Sequence, residues 1–223
     1  MDKLLSNIKI EVPDGIYIKD PQTSKLGLRI ITGSINLIDE IGFESFTFKK
    51  LGQSIESNES SIYRYFDSKY KILNYLTAWY WGWLEYRFVF ETHNIADSLD
   101  KLKKGVEVVT RTVEADSSFS HIDEVKLNRI VINESYKSFL IKEVDQVNEE
   151  GCFETYKRLV RRLSDFILQV NTNYKAALSL ASTVVESSLH QHFLKSHLKS
   201  ITNCDDNYTP TDFFTDLTTK VII

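Results

Sequence analysis

The sequence predicts an all-α protein, and three observations support this prediction. Prolines occur only at positions 13, 21 and 210 of the 223 residues, so no proline interrupts a helix between residues 22 and 209. Apolar residues recur through most of that stretch at spacings of three and four, which is the period of an amphipathic helix. No apolar run approaches the roughly 20 residues that span a bilayer, and the first residues lack the apolar stretch of a signal peptide. We therefore expect a helical, cytoplasmic protein without a membrane segment.

The chain begins with an arm at residues 1–23, where two of the three prolines and scattered charges favour irregular structure. A first amphipathic helix is predicted from Ser24 to Ile41. Its apolar stripe consists of Leu28, Ile31, Ile35 and Ile38. We expect this helix to stop at Gly42, because glycine commonly ends helices.

Residues 42–73 predict two short helices that are joined by a turn and followed by a third helix. Thr47 is a good N-cap for the first helix, and Asn58 can cap the second, whose apolar side is Ile62 and Phe66. The other faces of the second helix carry Glu59, Ser60, Ser61, Tyr63 and Arg64. A polar, hydroxyl-rich face on so short a helix indicates a surface that contacts a partner, and this arrangement places a recognition helix in a DNA major groove.

The same stretch resembles the DNA-binding segment of TetR/AcrR-family transcriptional regulators. The matching residues are Gly42, Phe43, Thr47, Leu51, Gly52, Ser61, Ile62, Tyr63, Phe66, Lys69, Ile72 and Leu73. The resemblance implies an all-α homodimer with a three-helix N-terminal helix-turn-helix DNA-binding domain, here residues 24–70. It also implies a larger C-terminal helical ligand-binding and dimerisation domain, here residues 71–223.

The resemblance further implies a set of DNA contacts. These are Thr47, Lys49, Glu59, Ser60, Ser61, Tyr63, Tyr65 and Lys69. Thr47 would cap its helix and contact a phosphate, and Glu59 and Ser60 would face the bases. Lys69 would bind a phosphate at a helix N-terminus. Two alternatives stay open: the Tyr63 ring packs against the preceding helix, and Lys69 is simply solvated. The arm at 1–23 is either a tail without a task or a minor-groove contact.

The predicted DNA-binding segment carries little net charge. Residues 22–72 hold seven basic and six acidic side chains, a formal charge of +1. We therefore expect weak non-specific DNA affinity and binding that depends on geometry and a few phosphate contacts. The segment also departs from the family pattern: Glu56 stands where the turn usually has Gly, Ser57 replaces a buried Val, and Gly52 replaces Ala. These departures predict a less tightly packed turn.

The helix predicted at residues 68–92 is unusually aromatic. Four rings, Trp79, Trp83, Tyr86 and Phe90, recur along one face at helical spacing, and further rings cover the neighbouring faces. One interpretation is a buried core helix. The other is that these four residues line a pocket for a small apolar or aromatic effector, because such pockets are built from aromatic rings with few polar groups.

Five further helices follow. They are predicted at residues 97–115, 122–147 (with a bend near 133–135), 153–170, 174–200 and 210–222, and a loop is predicted at 116–121. Thr211 is a plausible cap of the last helix. The resemblance implies that the homodimer forms through the last two helices, 174–200 and 210–222.

No catalytic, cofactor or metal site is predicted. His190, His192 and His197 do not form the i, i+4 pair that a helical metal site needs. Cys152 and Cys204 match no metal or redox spacing, so we expect free thiols. The basic group Lys157, Arg158, Arg161 and Arg162 is interleaved with acidic residues, which favours a solvated helix face over a second nucleic-acid site.

Together these observations predict a regulator, not an enzyme. We expect a ligand-responsive repressor that binds a near-palindromic double-stranded DNA operator as a dimer and is released by a small-molecule effector. The alternative is a small-molecule-binding or interaction protein of the same fold that does not bind an operator.

Overall fold

The computed structural model describes residues 9–115, 119 and 121–223, and within them the chain is helical without strands. The predicted all-α fold is thus confirmed. The first eight residues of the predicted arm and most of the predicted loop at 116–121 lie outside the described residues. The chain divides into two compact units: the described residues of Met1–Gly82 with Val113–Glu154, and Trp83–Thr112 with Thr155–Ile223.

The first unit is built around the helix that follows the N-terminal segment. It contains, in chain order, α1 (Lys25–Ser45), α2 (Phe48–Ser54), α3 (Glu59–Tyr63) and the start of α4 (Lys69–Thr92). The backbone of α1 leaves the helical region at Gly42, with φ 74° and ψ 158°, which is where the sequence predicted the helix to stop. Buried apolar side chains of α1, α2 and α3, and of the segments that follow α1 and α3, form the core: Ile30, Ile31, Ile35, Ile38, Phe43, Phe46, Leu51, Ile62 and Phe66.

Three short helices complete the first unit in place of the single bent helix predicted at 122–147. They are α6 (Glu124–Glu134), α7 (Tyr136–Phe139) and α8 (Val144–Glu149); α5 belongs to the second unit. The helical path ends at Leu140, whose φ of −88° and ψ of 52° lie outside the α region. The break reflects tertiary contacts, since the ring of Phe139 packs against Phe153 and α6 is tied to α1 by the Arg129–Asp39 ion pair at 2.7 Å.

The described part of the N-terminal segment packs against this unit. Ile10, Val12 and Ile16 are buried, and Ile18 N donates to Tyr65 O at 2.8 Å. Lys71 Nζ donates to Gly15 O at 3.0 Å. Residues 9–23 therefore pack as a part of the first unit, and whether they have a task in DNA binding stays a prediction.

The second unit contains the end of α4 with four further helices. These are α5 (Ser98–Thr110), α9 (Glu154–Val170), α10 (Ala177–His197) and α11 (Pro210–Ile222). Helix α5 packs against α10 and α11, and α10 packs against α11. A Cβ added to Gly105 would lie 2.9 Å from the Phe88 ring, so glycine permits the close approach of this ring to α5.

One buried and one partly buried carboxylate organise the polar contacts of the second unit. Glu85 accepts hydrogen bonds from Arg158 and Arg162, with the shortest contacts at 2.8 Å. The basic group on α9 is thus partly neutralised within the protein, which agrees with the interpretation as a solvated helix face. Glu91 accepts from Arg111 and Arg87. Burial alone would raise the pKa of Glu91, but these hydrogen bonds outweigh it and lower the pKa to about 2.

Several predicted helix ends differ from the observed ones. Helix α5 ends at Thr110 rather than residue 115, because Arg111 adopts an extended conformation and binds Glu91. The cap of α11 is Thr209 rather than Thr211. Thr209 and Asp212 form a capping box around Pro210, which occupies the first helical position that proline favours.

None of the described helices is long and apolar enough to cross a membrane.

Candidate DNA-binding interface

Helix α3 is held in place by a cap at its start and by one anchor in its middle. Asn58 accepts hydrogen bonds from Ser61 N at 2.8 Å and from Ser61 Oγ at 2.6 Å, as the sequence predicted for this cap. The Ile62 side chain is completely buried, whereas Glu59 and Ser60 are exposed. The apolar anchor thus turns the polar residues of α3 towards solvent, where a partner can contact them.

The turn between α2 and α3 is a Schellman motif. Ser57 N donates to Gly52 O at 2.8 Å and Glu56 N donates to Gln53 O at 3.3 Å, which is the paired pattern that closes helix ends. Glu56 occupies the left-handed position of this motif with φ 51°. A non-glycine residue there is strained by its Cβ, and this is the position at which the family pattern has glycine.

The turn is nevertheless tight, which contradicts the prediction of looser packing. A Cβ at Gly52 would lie 2.8 Å from Ser57 O, so a side chain at this position would clash with the backbone of the turn. The guanidinium of Arg29 donates to the carbonyl oxygens of Ile55 and Glu56 and so satisfies groups at the end of α2. The departure from Ala at position 52 therefore allows a closer turn.

Two of the predicted DNA contacts lie beside α3, at the start of α2. Thr47 Oγ1 accepts from Lys50 N at 3.2 Å and caps the helix, and its side chain stays exposed together with that of Lys49. Tyr63 on α3 packs against α2 and still remains accessible: its ring meets Phe48 edge-on at 4.7 Å, while 48% of the residue is exposed. Thr47, Lys49 and Tyr63 are thus open to a partner.

Tyr65 does not belong to this exposed surface. It is only 4% exposed, its hydroxyl shares a hydrogen bond with Ser24 Oγ at 2.7 Å, and Lys19 Nζ lies 5.2 Å from its ring centre. The predicted DNA contact of Tyr65 is therefore replaced by a structural role. No local pattern indicates this role, because Ser24 lies 41 positions away in the chain.

Lys69 is also engaged within the protein. Its Nζ donates to Phe43 O at 3.0 Å and to Glu44 O at 3.1 Å, and it lies 4.7 Å from the centre of the Phe43 ring. Lys69 is neither simply solvated nor a free cation. A phosphate at this place would have to share the ammonium group with two carbonyl oxygens.

The other cations of residues 22–72 form two groups, those that bind groups within the protein and those that do not. Lys50 Nζ donates to Ser45 O at 2.9 Å, Arg29 binds the end of α2, and Lys71 binds Gly15 O and Glu150. The remaining cations, Lys25, Lys49 and Arg64, are exposed and have no hydrogen bond or ion pair within the described residues. Four of the seven cations of this segment thus donate to groups of the protein itself, and three are left without an internal partner among the described residues.

The aromatic residues of α4 separate into different environments. Trp79 is 1% exposed and meets the Phe119 ring edge-on at 5.4 Å in the first unit. In the second unit Trp83 is buried beneath Arg87, and Tyr86 stacks on Phe90 at 6.0 Å. Phe90 is 65% exposed, so it does not line an enclosed pocket as predicted. Trp79 is a core residue, and Trp83 and Tyr86 remain candidates for an effector site.

A polar hollow of about 550 Å³, which the sequence did not predict, lies at the end of α10 in the second unit. Its lining includes Lys195, Lys199, Asn203 and Asp206, and Lys195 pairs with Asp206 at 2.9 Å. The polar lining does not fit an apolar effector. Among the described residues no cluster of His, Cys, Asp or Glu could hold a metal ion.

These features define the class of the protein: an all-α helix-turn-helix protein with a capped, outward-facing recognition helix. Residues 30–76 match the model of bacterial regulatory proteins of the tetR family. The resemblance predicted from the sequence is thereby confirmed. No curated protein matches the chain.

Solved structures of the same fold cover most of the chain at low sequence identity. FadR from Bacillus subtilis in complex with stearoyl-CoA is 15% identical, with a TM-score of 0.58 over 87% of this chain and 94% of that one. AibR in complex with isovaleryl coenzyme A and operator DNA is 12% identical, with a TM-score of 0.54 over 89% and 97%. Superantigen PfiT is 11% identical, with a TM-score of 0.59 over 91% and 97%. At such identities these similarities concern the fold alone.

Proposed function

We propose that the chain is a ligand-responsive transcriptional repressor of the cytoplasm that binds a near-palindromic operator as a homodimer. The observation that carries this proposal is the capped helix α3, whose polar side chains face solvent while Ile62 anchors it, within a segment of the tetR family. In a dimer, two such helices would occupy successive major grooves about 34–36 Å apart.

The proposed interface consists of the predicted contacts that remain accessible. Glu59, Ser60 and Ser61 lie on α3, Tyr63 ends it, and Thr47 and Lys49 lie beside it on α2. In this proposal Thr47 and Lys49 contact phosphates, whereas Glu59 and Ser60 face base edges. Lys69 is retained as a phosphate ligand through the part of its side chain that stays accessible, and Tyr65 is left out.

The test is the binding of the full chain to the DNA that flanks its own gene, measured by fluorescence anisotropy at about 0.1 M salt. Non-specific binding has a Kd of about 10⁻⁶ M or weaker, so saturable binding well below that value, lost on an unrelated duplex, would support the proposal. Lys49→Ala should weaken binding, whereas Lys103→Ala, which removes an exposed cation of the second unit, should not. Equal affinity for both duplexes would contradict operator binding.

Dimerisation is proposed through α10 and α11. Both helices carry large apolar side chains on the surface, among them Leu178 and Val221, which are 58% and 44% exposed. Exposed apolar side chains on adjacent helices are typical of a face that a partner covers. A twofold axis next to these helices would give each half-site its own recognition helix.

The effector is proposed to bind in the second unit beside Trp83 and Tyr86. Small apolar and aromatic molecules are the first class to test, and acyl-CoA esters join them because FadR and AibR are seen with stearoyl-CoA and isovaleryl-CoA. A ligand at about 100 times its Kd stabilises a protein by about 2.7 kcal/mol, which thermal unfolding detects. Tyr86→Ala should abolish the stabilisation, whereas the exposed Phe90→Ala should preserve it. An effector that acts equally on both variants would place the site elsewhere.

A second candidate function is a helical small-molecule-binding or interaction protein that does not bind an operator. It is favoured by the near-neutral charge of residues 22–72 and by the exposed acid Glu59 on α3. Superantigen PfiT shares the fold. This alternative predicts a ligand that stabilises the chain, together with no sequence preference in any duplex.

A further inference from the structure

The outward face of α3 is centred on two residues, Ser60 and Arg64. Ile62 is 0% exposed and so marks the inward direction of the helix. At about 100° per residue, the positions two before and two after it lie about 160° away. Helical geometry continues through Arg64, whose φ is −72° and ψ −15°, so the same rotation per residue applies to it. Ser60 and Arg64 therefore point most directly away from the core.

Arg64 is also the one cation on this outward line, and it is free to bind a partner. Its side chain is exposed and makes no hydrogen bond or ion pair within the described part of the chain. Arg29, by contrast, binds the carbonyl oxygens at the end of α2, and Lys69 binds those of Phe43 and Glu44. The serine at position 60 is short, so the guanidinium of Arg64 reaches furthest from the surface.

The acid on the same helix lies on a different side from this guanidinium. Glu59 is exposed on α3, and a carboxylate that lies along the phosphate backbone is repelled by it. A base edge accommodates a carboxylate, since cytosine N4 donates to it. A helix that lies in a major groove directs its outward line at the floor of the groove, and this line carries Ser60 and Arg64. Glu59 lies about 140° from Arg64 around the helix.

We propose that Arg64 determines operator specificity, with its guanidinium donating two hydrogen bonds to O6 and N7 of a guanine in each half-site. This inference rests on the proposed function, duplex DNA binding. The planar fork of arginine matches the two acceptors of guanine, and this pair is the commonest specific contact in the major groove. A phosphate contact would instead position the protein without sequence preference.

The experiment starts from duplexes selected out of a random-sequence pool by the full chain. Each guanine common to the selected duplexes is then replaced in turn by 7-deazaguanine. The affinities of the unmodified chain, Arg64→Ala and Arg64→Lys are measured for the original and the modified duplexes. Arg161→Ala serves as the matched control, because Arg161 is an exposed arginine of the second unit. Thermal unfolding of each variant checks that the fold is intact.

The expected result is that Arg64→Ala loses roughly 5- to 150-fold in affinity, the range of one bidentate arginine–guanine pair. In a repeated selection with Arg64→Ala, one guanine position per half-site should accept any base. Replacing that guanine by 7-deazaguanine should lower the affinity of the unmodified chain but not that of the variant. Arg64→Lys should restore part of the affinity. Arg161→Ala should select the same sequence as the unmodified chain.

Two outcomes would overturn the inference while leaving the proposed function intact. In the first, Arg64→Ala selects the unmodified sequence with unchanged affinity. In the second, Arg64→Ala lowers the affinity for all duplexes by the same factor. It also reduces the slope of log affinity against log salt concentration by about one, which indicates a lost phosphate contact. If the unmodified chain enriches no sequence at all, the proposed function fails, and the inference fails with it.

Discussion

Replacing Glu56 by glycine should stabilise the protein, because the backbone at this position is left-handed. Glu56 has φ 51°, and a left-handed conformation costs an L-residue about 1–2 kcal/mol. Glycine avoids this strain but loses about 0.5–1 kcal/mol more conformational entropy on folding. The difference predicts a net gain of about 0.5–1 kcal/mol. For a chain of this size, that gain raises the thermal midpoint by about 1–4 °C.

The gain in stability should be local to the turn, so hydrogen exchange at a single amide can detect it. Ser57 N donates to Gly52 O at 2.8 Å, so the exchange of this amide with solvent reports the opening of the Schellman motif. Hydrogen exchange of Glu56→Gly is expected to slow at Ser57, together with the rise in thermal midpoint. Glu56→Ala is the control, because it removes the carboxylate but keeps a Cβ in the left-handed region. An equal gain from both variants, or none from glycine, would refute the attribution to backbone strain.

Three further predictions concern the second unit. Glu91 has a pKa lowered to about 2, so its contribution to stability is complete above the ordinary carboxyl pKa and is lost as the pH falls towards 2. In Glu91→Gln the thermal midpoint should therefore fall less steeply as the pH is lowered. Gly105→Ala should destabilise the chain by about 1 kcal/mol in urea unfolding, because overpacking against the Phe88 ring outweighs the better helix propensity of alanine. The double substitution Leu178→Glu with Val221→Glu should convert a dimer into a monomer in light scattering, since it places charges on the proposed dimer face.

Two of these predictions have a matched control, and the third has an outcome that would contradict it. Glu107→Gln changes a more exposed carboxylate beside the same arginine, so a loss of acid sensitivity equal to that of Glu91→Gln would contradict the assignment. Leu140→Glu alters an exposed leucine of the first unit and should leave the oligomeric state unchanged. A Gly105→Ala variant that melts at a higher temperature than the unmodified chain would show that the Phe88 ring can move.

The sequence predicted those features whose causes are local. Thr47 and Asn58 cap their helices through residues three positions away, so the pattern of cap and apolar anchor was sufficient to place α2 and α3. Gly42 likewise interrupts α1 where the pattern indicated. Local chemistry thus fixed the position of the recognition helix and the outward direction of its polar residues.

The features that could not be predicted depend on partners distant in the chain. Tyr65 looked like one more polar residue of the recognition helix, but its hydroxyl binds Ser24 and its ring is buried. Lys69 matched a phosphate ligand, yet carbonyl groups 25 and 26 positions earlier already bind it. The break of the predicted helix at 122–147 has the same origin, because contacts with other segments rather than a proline or glycine end it.

The small net charge of residues 22–72 has a consequence for the behaviour of the proposed repressor in a cell. Chromosomal DNA offers an enormous excess of irrelevant sites, and a strongly basic protein spends most of its time trapped on them. A DNA-binding segment with a formal charge of only +1 attracts such sites weakly and so escapes most of this competition. Few copies per cell would then suffice to keep one operator occupied.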